Sequence, residues 1–520
     1  QFRGDIIKKL FKAVFILTLF SVISRLIGFL YKIFLSRVIS TESLGLYSIV
    51  LSIFMVFITL VSSGMPIAIS KLTASNKVNN NYANTHSLVY AGLKIEIVFS
   101  LILILVIILC KGLLVPILGS ESSYFLLLSL TPAIICAGIY SPFRGYLWGE
   151  EHYLKVSLVE FFEQIIKIIV LFVLIKLSFN LENLLPLGIA ISISAILSTV
   201  IGIIYYFTSG GKLSKKEIKY RPIIDSALPL TTTRFCGSLM QPIISVLLPL
   251  RLVSFGFSKS QALSALGVAM GMTFPILTIP STLIGSLSMA LIPEIASLIK
   301  QKNINALQRQ INSSILFTMC CSFLCFIFIL PLAHPICDLL FKNYDAGTYL
   351  IYASWIIIPT GLSAITTSIL NSLGHEKFTF KYFVYSAILS ILIIVFIPKY
   401  VGVHSLFIST GIGMSLIYFL NIKKINKTLN IRQASGKYLL SLSLISVPCL
   451  LLSKWLYNIF ELMYGTIFGL IASASITIVC FVLLLLVFNL LDINIIIKNL
   501  KSSNKPIIQK EKHKKIKLTK

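Results

Sequence analysis

The stretch SPFRGYLWGEEHYLKVSLVEFFEQIIKIIVLFVLIK, residues 141–176, decides how the rest of the chain is read. It closes one apolar run, breaks at Glu150, Glu151 and His152, and enters a second run that lasts to Lys176. The second run has the roughly 20 residues that a helix needs to cross the hydrocarbon of a bilayer. It lacks the alternation over about ten residues that marks a strand of a membrane barrel. Yet it holds Glu160, Glu163, Gln164 and Lys167. A charge at the bilayer centre costs about 2.5–3.5 kcal/mol on insertion scales, so such residues face a cavity or a partner and not lipid. A helix of this kind belongs in a bundle with a polar interior.

The whole chain agrees with that reading. Of its 520 residues 57% are hydrophobic and 12% charged, against about 25% charged in a soluble protein. The mean hydropathy is +0.93. Apolar runs bounded by polar breaks predict an all-α polytopic membrane protein of about fourteen spans. Their limits are 10–35, 43–71, 84–110, 122–147, 153–177, 184–207, 222–250, 261–299, 308–332, 346–371, 378–398, 403–422, 436–458 and 464–490. Lys8, Lys9 and Lys12 precede a first run too long for the core of a cleavable signal, so it reads as a span.

The net charge of +27 reads as topology and not as nucleic-acid binding. Lys and Arg gather in cytoplasmic loops. With the N-terminus inside, those loops carry Lys71 and Lys77, Lys155, the run Lys212 to Arg221, Lys300 to Arg309, Lys377 and Lys381, and Lys423 to Lys437. The opposite loops are poorer, with single lysines such as Lys111, Lys342 and Lys399. Both termini are therefore expected in the cytoplasm of a cell-membrane protein. The basic tail, residues 491–520, is expected to lie along anionic lipid headgroups.

The break at 209–222 divides two sets of six spans, which would be related by an axis along the membrane normal. The expected units are 1–211, 212–432, a helix pair at 433–490, and the tail. A repeat supports the division. At an offset of 209, Ser24, Arg25, Gly28, Lys32 and Ser36 meet Thr233, Arg234, Gly237, Gln241 and Ser245. At an offset of 225, Ser141, Gly149 and Glu151 meet Thr366, Gly374 and Glu376.

The polar residues inside the spans are the candidate site. Arg25 and Lys32, seven apart, share a helix face with Gly28. Arg234 and Gln241 repeat the spacing. Glu163 and Lys167 form an i, i+4 pair in the favourable order, with Glu160 on the same face and Gln164 beside it. Arg144 and Arg251 sit near span ends and are expected at the rim. Lys94 and Glu96, two apart, cannot face each other. The deepest charges, Arg25, Lys32, Lys167 and Arg234, are basic. Arginine suits bidentate phosphate recognition, so a cavity lined this way would hold an anion.

Enzymatic chemistry is not expected. The chain has no phosphate-binding glycine loop and no nucleophile elbow. The nine cysteines contain no CxxC pair and the six histidines no HExxH set, so neither metal nor other cofactor is called for.

Four stretches resemble the polysaccharide flippase branch of the multidrug/oligosaccharidyl-lipid/polysaccharide exporter superfamily, and within it the stage V sporulation protein B family. They are SRLIGFLYKIFLSRVIS (24–40), FRGYLWGEEHY (143–153), VEFFEQIIK (159–167) and GVAMGMTFPILTIPSTLIGSLSMALIPEIAS (267–297). In the third, Lys167 stands where an arginine is common. The resemblance implies two six-helix lobes around a central cavity, plus two helices that form a lipid-facing groove. It implies alternating access to an anionic lipid-linked saccharide, undecaprenyl pyrophosphate at its head, with lipid II as the expected cargo and cell-wall synthesis proteins as partners. It matches Arg25 to a cavity arginine of the lipid II flippases; their second arginine on that helix falls on Tyr31, beside Lys32. Two alternatives stay open: a cation-coupled multidrug exporter, which needs an essential buried carboxylate such as Glu163, and a non-transporting scaffold for cell-wall assembly.

Overall fold

The computed structural model describes residues 20, 22–78, 82–177, 184–214, 220–281, 284, 285, 295, 298, 299, 301, 303–429 and 435–488. Among these, every regular element is helical. The first half runs α1 (22–38), α2 (Thr41–Ser62), α3 (Met65–Val78), α4 (Tyr82–Leu109), α5 (Lys111–Leu118), α6 (Glu121–Ser129), α7 (Thr131–Gly149), α8 (Tyr153–Lys176) and α9 (Leu185–Thr208). The second runs α10 (Arg221–Ser238), α11 (Met240–Ser254), α12 (Lys259–Gly267), a π-helical turn (Val268–Thr273), α13 (274–281), α14 (Ile304–Ile329), α15 (Ala333–Phe341), α16 (Tyr344–Ala353), α17 (Ile357–Ser372), α18 (Glu376–Phe396), α19 (Pro398–Val401) and α20 (His404–Leu429). The chain closes on the hairpin of α21 (Ser435–Tyr464) and α22 (Thr466–Val487).

Twelve helical stretches among the described residues are long and apolar enough to cross a membrane. They follow the predicted runs closely. The predicted spans at 153–177 and 10–35 are not among the twelve. α8 has 24 residues, enough to cross, but its four charges between Glu160 and Lys176 set it apart. α1 begins at the edge of the described residues, and much of the first predicted span lies outside them. The tail at 491–520 lies outside them as well.

Several predicted spans are broken helices. The run expected at 43–71 is α2 and α3, interrupted at Ser63 and Gly64. Pro66 follows, and proline both lacks an amide donor and crowds the preceding turn. The run at 122–147 breaks at Leu130 before Pro132, and the run at 222–250 breaks at Leu239. The loops at the end away from the basic residues carry short helices, α5, α15 and α19.

α7 and α17 end on the same backbone turn, in a register shifted by two residues from the second offset above. The His152 amide donates to the Leu147 carbonyl at 2.8 Å, and the His375 amide to the Leu370 carbonyl at 3.1 Å. These are the same C-terminal turn of α7 and α17. Glu151 (φ 65°) holds the left-handed position that Gly374 (φ 77°) holds in the second half. Ser40 and Ser258 likewise cap α2 and α12 through the same hydroxyl-to-amide bond.

The apolar packing divides unequally along the bundle. Away from the basic loops one core is shared by both halves, from Leu35, Val50 and Leu126 to Leu266, Leu350 and Phe407. At the basic end there are two cores. Ile69, Val89, Leu147 and Tyr206 build one, with Ile223 of α10. Ile315, Ile365, Ile425 and Phe481 build the other.

Candidate functional site

The two halves are tied at the end away from the basic loops. A methyl group on Gly45 of α2 would overlap the Leu263 carbonyl of α12, and one on Gly267 would overlap the Thr41 carbonyl. Small residues let helix backbones meet this closely. Polar ties reinforce the seam. Ser260 donates to Glu42, Lys259 Nζ to the Gly119 carbonyl, and Arg37 to the Leu339 and Leu340 carbonyls at the end of α15. The sequence reading had given Arg37 no role.

The intramembrane charges gather on α1, α7, α8 and α10. α1 meets α8 at Gly28, where an added methyl would sit 3.8 Å from Gln164 Oε1. Lys167 Nζ donates to that same Oε1 at 2.6 Å and lies 4.7 Å from the centre of the Tyr31 ring. The Tyr31 and Tyr47 hydroxyls are 3.3 Å apart. Glu163 and Lys32 are the charges acting on Lys167. Lys167 therefore sits in an amide-and-aromatic seat whose hydrogen bond goes to Gln164 and not to Glu163. The seat could be anticipated from spacing, since Gln164 is three residues from Lys167, but not its partner on α1. Arg25 and Lys32 keep exposed side chains on α1.

Arg144 is more than a rim residue. Its side chain is 22% exposed; Nη2 donates to the Ser62 carbonyl at 3.0 Å, and Nη1 lies 3.8 Å from Glu160 Oε1. The guanidinium stacks 5.1 Å from the Trp148 ring centre. Arg234, from the second half, donates through Nη1 to the neighbouring Ser63 carbonyl at 3.2 Å. The last carbonyls of a helix have no partner within it. The break after Ser62 bares two of them in the middle of the bundle, and one arginine from each half takes each. α10 is pressed against the same break, because a methyl on Gly64 would overlap Ala227 and Thr231. Ser62-Ser63-Gly64-Met65-Pro66 was the available signal for this break.

Arg251 stays at the far end of α11, bonded to the Val395 carbonyl at 2.9 Å and stacked on Phe255. Gln241 is exposed just past the α10–α11 break. The structure thus brings Lys32, Glu163, Gln164 and Lys167 together, and joins Arg144, Glu160 and Arg234 around the α2–α3 break. Arg251 is remote from both groups. Among the described residues no set of three His, Cys, Asp or Glu is placed to hold a metal ion.

Residues 10–299 match the family model for polysaccharide biosynthesis protein, more than half of the chain. The chain belongs to that family. Residues 235–396 also match the MatE model. Among curated relatives of this chain, stage V sporulation protein B of Bacillus subtilis (strain 168) is 23% identical over 503 residues, covering 92% of this chain and 95% of the relative. Lipid II flippase MurJ of the same organism is 22% identical, covering 80% and 83%. Among solved structures, Lipid II flippase MurJ in an inward closed conformation superposes with a TM-score of 0.69 at 15% identity, over 91% of this chain and 98% of that one. A multidrug resistance MATE family transporter of the MOP superfamily, inward-facing, gives 0.67 at 13% identity, over 80% and 96%. One curated relative is named as a flippase and the two solved structures as a flippase and a transporter, and the fold is that of the MOP superfamily.

Proposed function

We propose that this polysaccharide biosynthesis family member flips an undecaprenyl-pyrophosphate-linked saccharide, the peptidoglycan precursor lipid II, across the cell membrane. The observation that carries the reading is the sign of the cavity wall. Lys32 and Lys167 act on each other where α1 packs on α8, Arg25 lies two turns before Lys32 on the same face of α1, and Arg144 and Arg234 take neighbouring carbonyls at the α2–α3 break. Arg144 and Arg234 each hold a neutral carbonyl with one edge, and a guanidinium has further donors for a second acceptor. A pyrophosphate is the anion that such planar, forked donors recognise best. The relative named as a lipid II flippase supports the cargo. The basic loops face the cytoplasm by the positive-inside rule, so the cavity between the divided cores loads from that side. The units 1–211 and 212–432 rock as lobes, and the α21–α22 pair guides the lipid tail.

Reconstitution into vesicles tests this, with the appearance of a labelled undecaprenyl-pyrophosphate saccharide in the opposite leaflet as the signal. Arg25→Ala removes one charged hydrogen-bonding group, worth about 2 kcal/mol, and is expected to slow flipping roughly thirtyfold at unchanged protein level. Full activity of that variant removes Arg25 from the site, and no flipping by the wild type removes the function. The fold shared with multidrug transporters, together with Glu163 in the cavity wall, favours a cation-coupled exporter as the second reading. Export of organic cations without movement of the lipid-linked substrate would establish it.

A further inference from the structure

A second polar group lies outside this cavity, inside the packing of the first half. Glu96 on α4 is 5% exposed, and its Oε2 has no hydrogen-bond partner. The face of α4 that carries it is fixed by its neighbours. Gly92 meets Met65 and Ile69 of α3 and Pro142 of α7, while Ser100 and the Glu96 backbone meet Gly138 of α7 beside Val61 of α2. The antiparallel register, Gly92 to Pro142 and Ser100 to Gly138, sets Glu96 opposite the 138–142 turn of α7. Two more oxygens belong to this turn and this face, Ser100 Oγ and Ser141 Oγ. Both are buried and both lack a partner.

Among the described residues no charge answers the carboxyl. On α4, Lys94 points away and lies over the Tyr90 ring. From α7, Arg144 is committed to Ser62 and Glu160, and Tyr140 brings a buried hydroxyl that also has no partner. α3 contributes Lys71, which is exposed, and Lys77, which pairs with Glu150. On α2 and α5 the charges, Glu42 and Lys111, sit at the far end of the bundle. None is within ion-pair distance of Glu96. An ionised carboxylate is tolerated in such a place only with a counter-charge or a full set of donors. A bound metal ion would ask for about six oxygens, more than the carboxyl and two or three hydroxyls present. A proton asks for one.

We propose that Glu96 is a proton-binding site that couples the cycle of this protein to proton movement. The neutral acid is the form that suits the nest as it stands, with its O–H free to donate to a serine oxygen. Val61, which lines the nest, is one residue from Ser62, whose carbonyl Arg144 holds. When an anion draws Arg144 or Arg234 off the α2–α3 break, α2 and α7 are freed to shift, the nest opens, and the proton leaves. The coupling rests on the transport reading above, whereas the proton site does not.

Two measurements separate them. A hydrophobic carbodiimide adds the O–H of a buried carboxylic acid across its C=N bond and rearranges to a stable N-acylurea, which mass spectrometry of the whole protein's peptides locates. Labelling of Glu96 is expected at neutral pH, falling by about tenfold per pH unit on the alkaline side, and absent in Glu96→Gln. No labelling of Glu96 while other membrane carboxyls react, or labelling independent of pH, overturns the proton site whatever the cargo proves to be. In the vesicle assay a pH gradient is expected to accelerate flipping by the wild type and to leave the rate of Glu96→Gln unchanged. Equal acceleration of both overturns the coupling, as does acceleration by a sodium gradient alone. Absence of flipping with and without a gradient overturns the coupling together with the transport reading, and the carbodiimide result still decides the site.

Discussion

Arg144 and Arg234 bind neighbouring carbonyls, yet they are expected to fail in different ways when removed. Arg144 is largely buried and holds both the Ser62 carbonyl and Glu160. Truncating it leaves the Ser62 carbonyl without this donor, at a cost of about 1–3 kcal/mol, while Glu160, about half exposed, can turn to water. Arg144→Ala should therefore lower thermal stability in detergent clearly. Arg234 is exposed, with one bond to Ser63. Arg234→Ala should change stability by less than about 1 kcal/mol and slow flipping instead, and equal losses of stability in the two variants would contradict this. At this scale the site was half legible. Intramembrane charges are visible in any hydropathy reading, and their basic sign is a property of the sequence. Their partners are not. Local spacing offers Lys167 both Glu163 and Gln164, and only the approach of α1, with Gly28 against Gln164 and Tyr31 under the ammonium, settles which it takes. The arginines bond to backbone carbonyls more than 80 positions away in sequence for Arg144 and more than 170 for Arg234, contacts that no local pattern encodes.

Glycines at helix contacts and helix ends set the geometry of the elements, and two of them separate packing from conformation. Gly45 lies in ordinary helical backbone against the α12 carbonyls. Gly45→Ala forces the seam apart, with an overpacking cost of about 1–3 kcal/mol. Because that seam joins the halves at one end, the variant should also favour the state open at that end, read as faster labelling of thiols placed along α12. Gly374 has open space around it but a φ of 77°. Gly374→Ala therefore meets no clash and costs only the left-handed backbone conformation, about 1–2 kcal/mol, with no change in the labelling of α12. The helices themselves were readable because an apolar run must hydrogen-bond internally in lipid, so length and hydropathy alone placed most spans to within a few residues. Breaks were harder. A kink leaves the run apolar, and the α2–α3 and α10–α11 interruptions show only as serine, glycine and proline that could equally have packed within an unbroken helix.

For the whole molecule, the division of the cores is the feature with functional weight. One shared core at one end and two at the other leave the halves joined through the Gly45–Gly267 seam and, apart from α10, which packs on the first half, parted among the basic loops. Lys32 stands near the junction. Its neighbours on α1, Tyr31 and Leu35, belong to the shared core, while its own side chain is exposed in the middle of a helix. Lipid is a poor host for that ammonium, so the expected surrounding is a wet cavity whose mouth lies away from the tied end. A cysteine at this position reports the mouth directly, once the native cysteines are replaced, Cys110 above all because it is exposed. A membrane-impermeant maleimide should modify Lys32→Cys from the face that carries the basic loops and not from the other. Adding an undecaprenyl-pyrophosphate substrate should slow the reaction by occupying the cavity. Modification from the opposite face alone would mean that the shared core is not a seal, and that the halves part at the other end of the bundle. Modification from both faces would make the cavity a channel, which alternating access forbids.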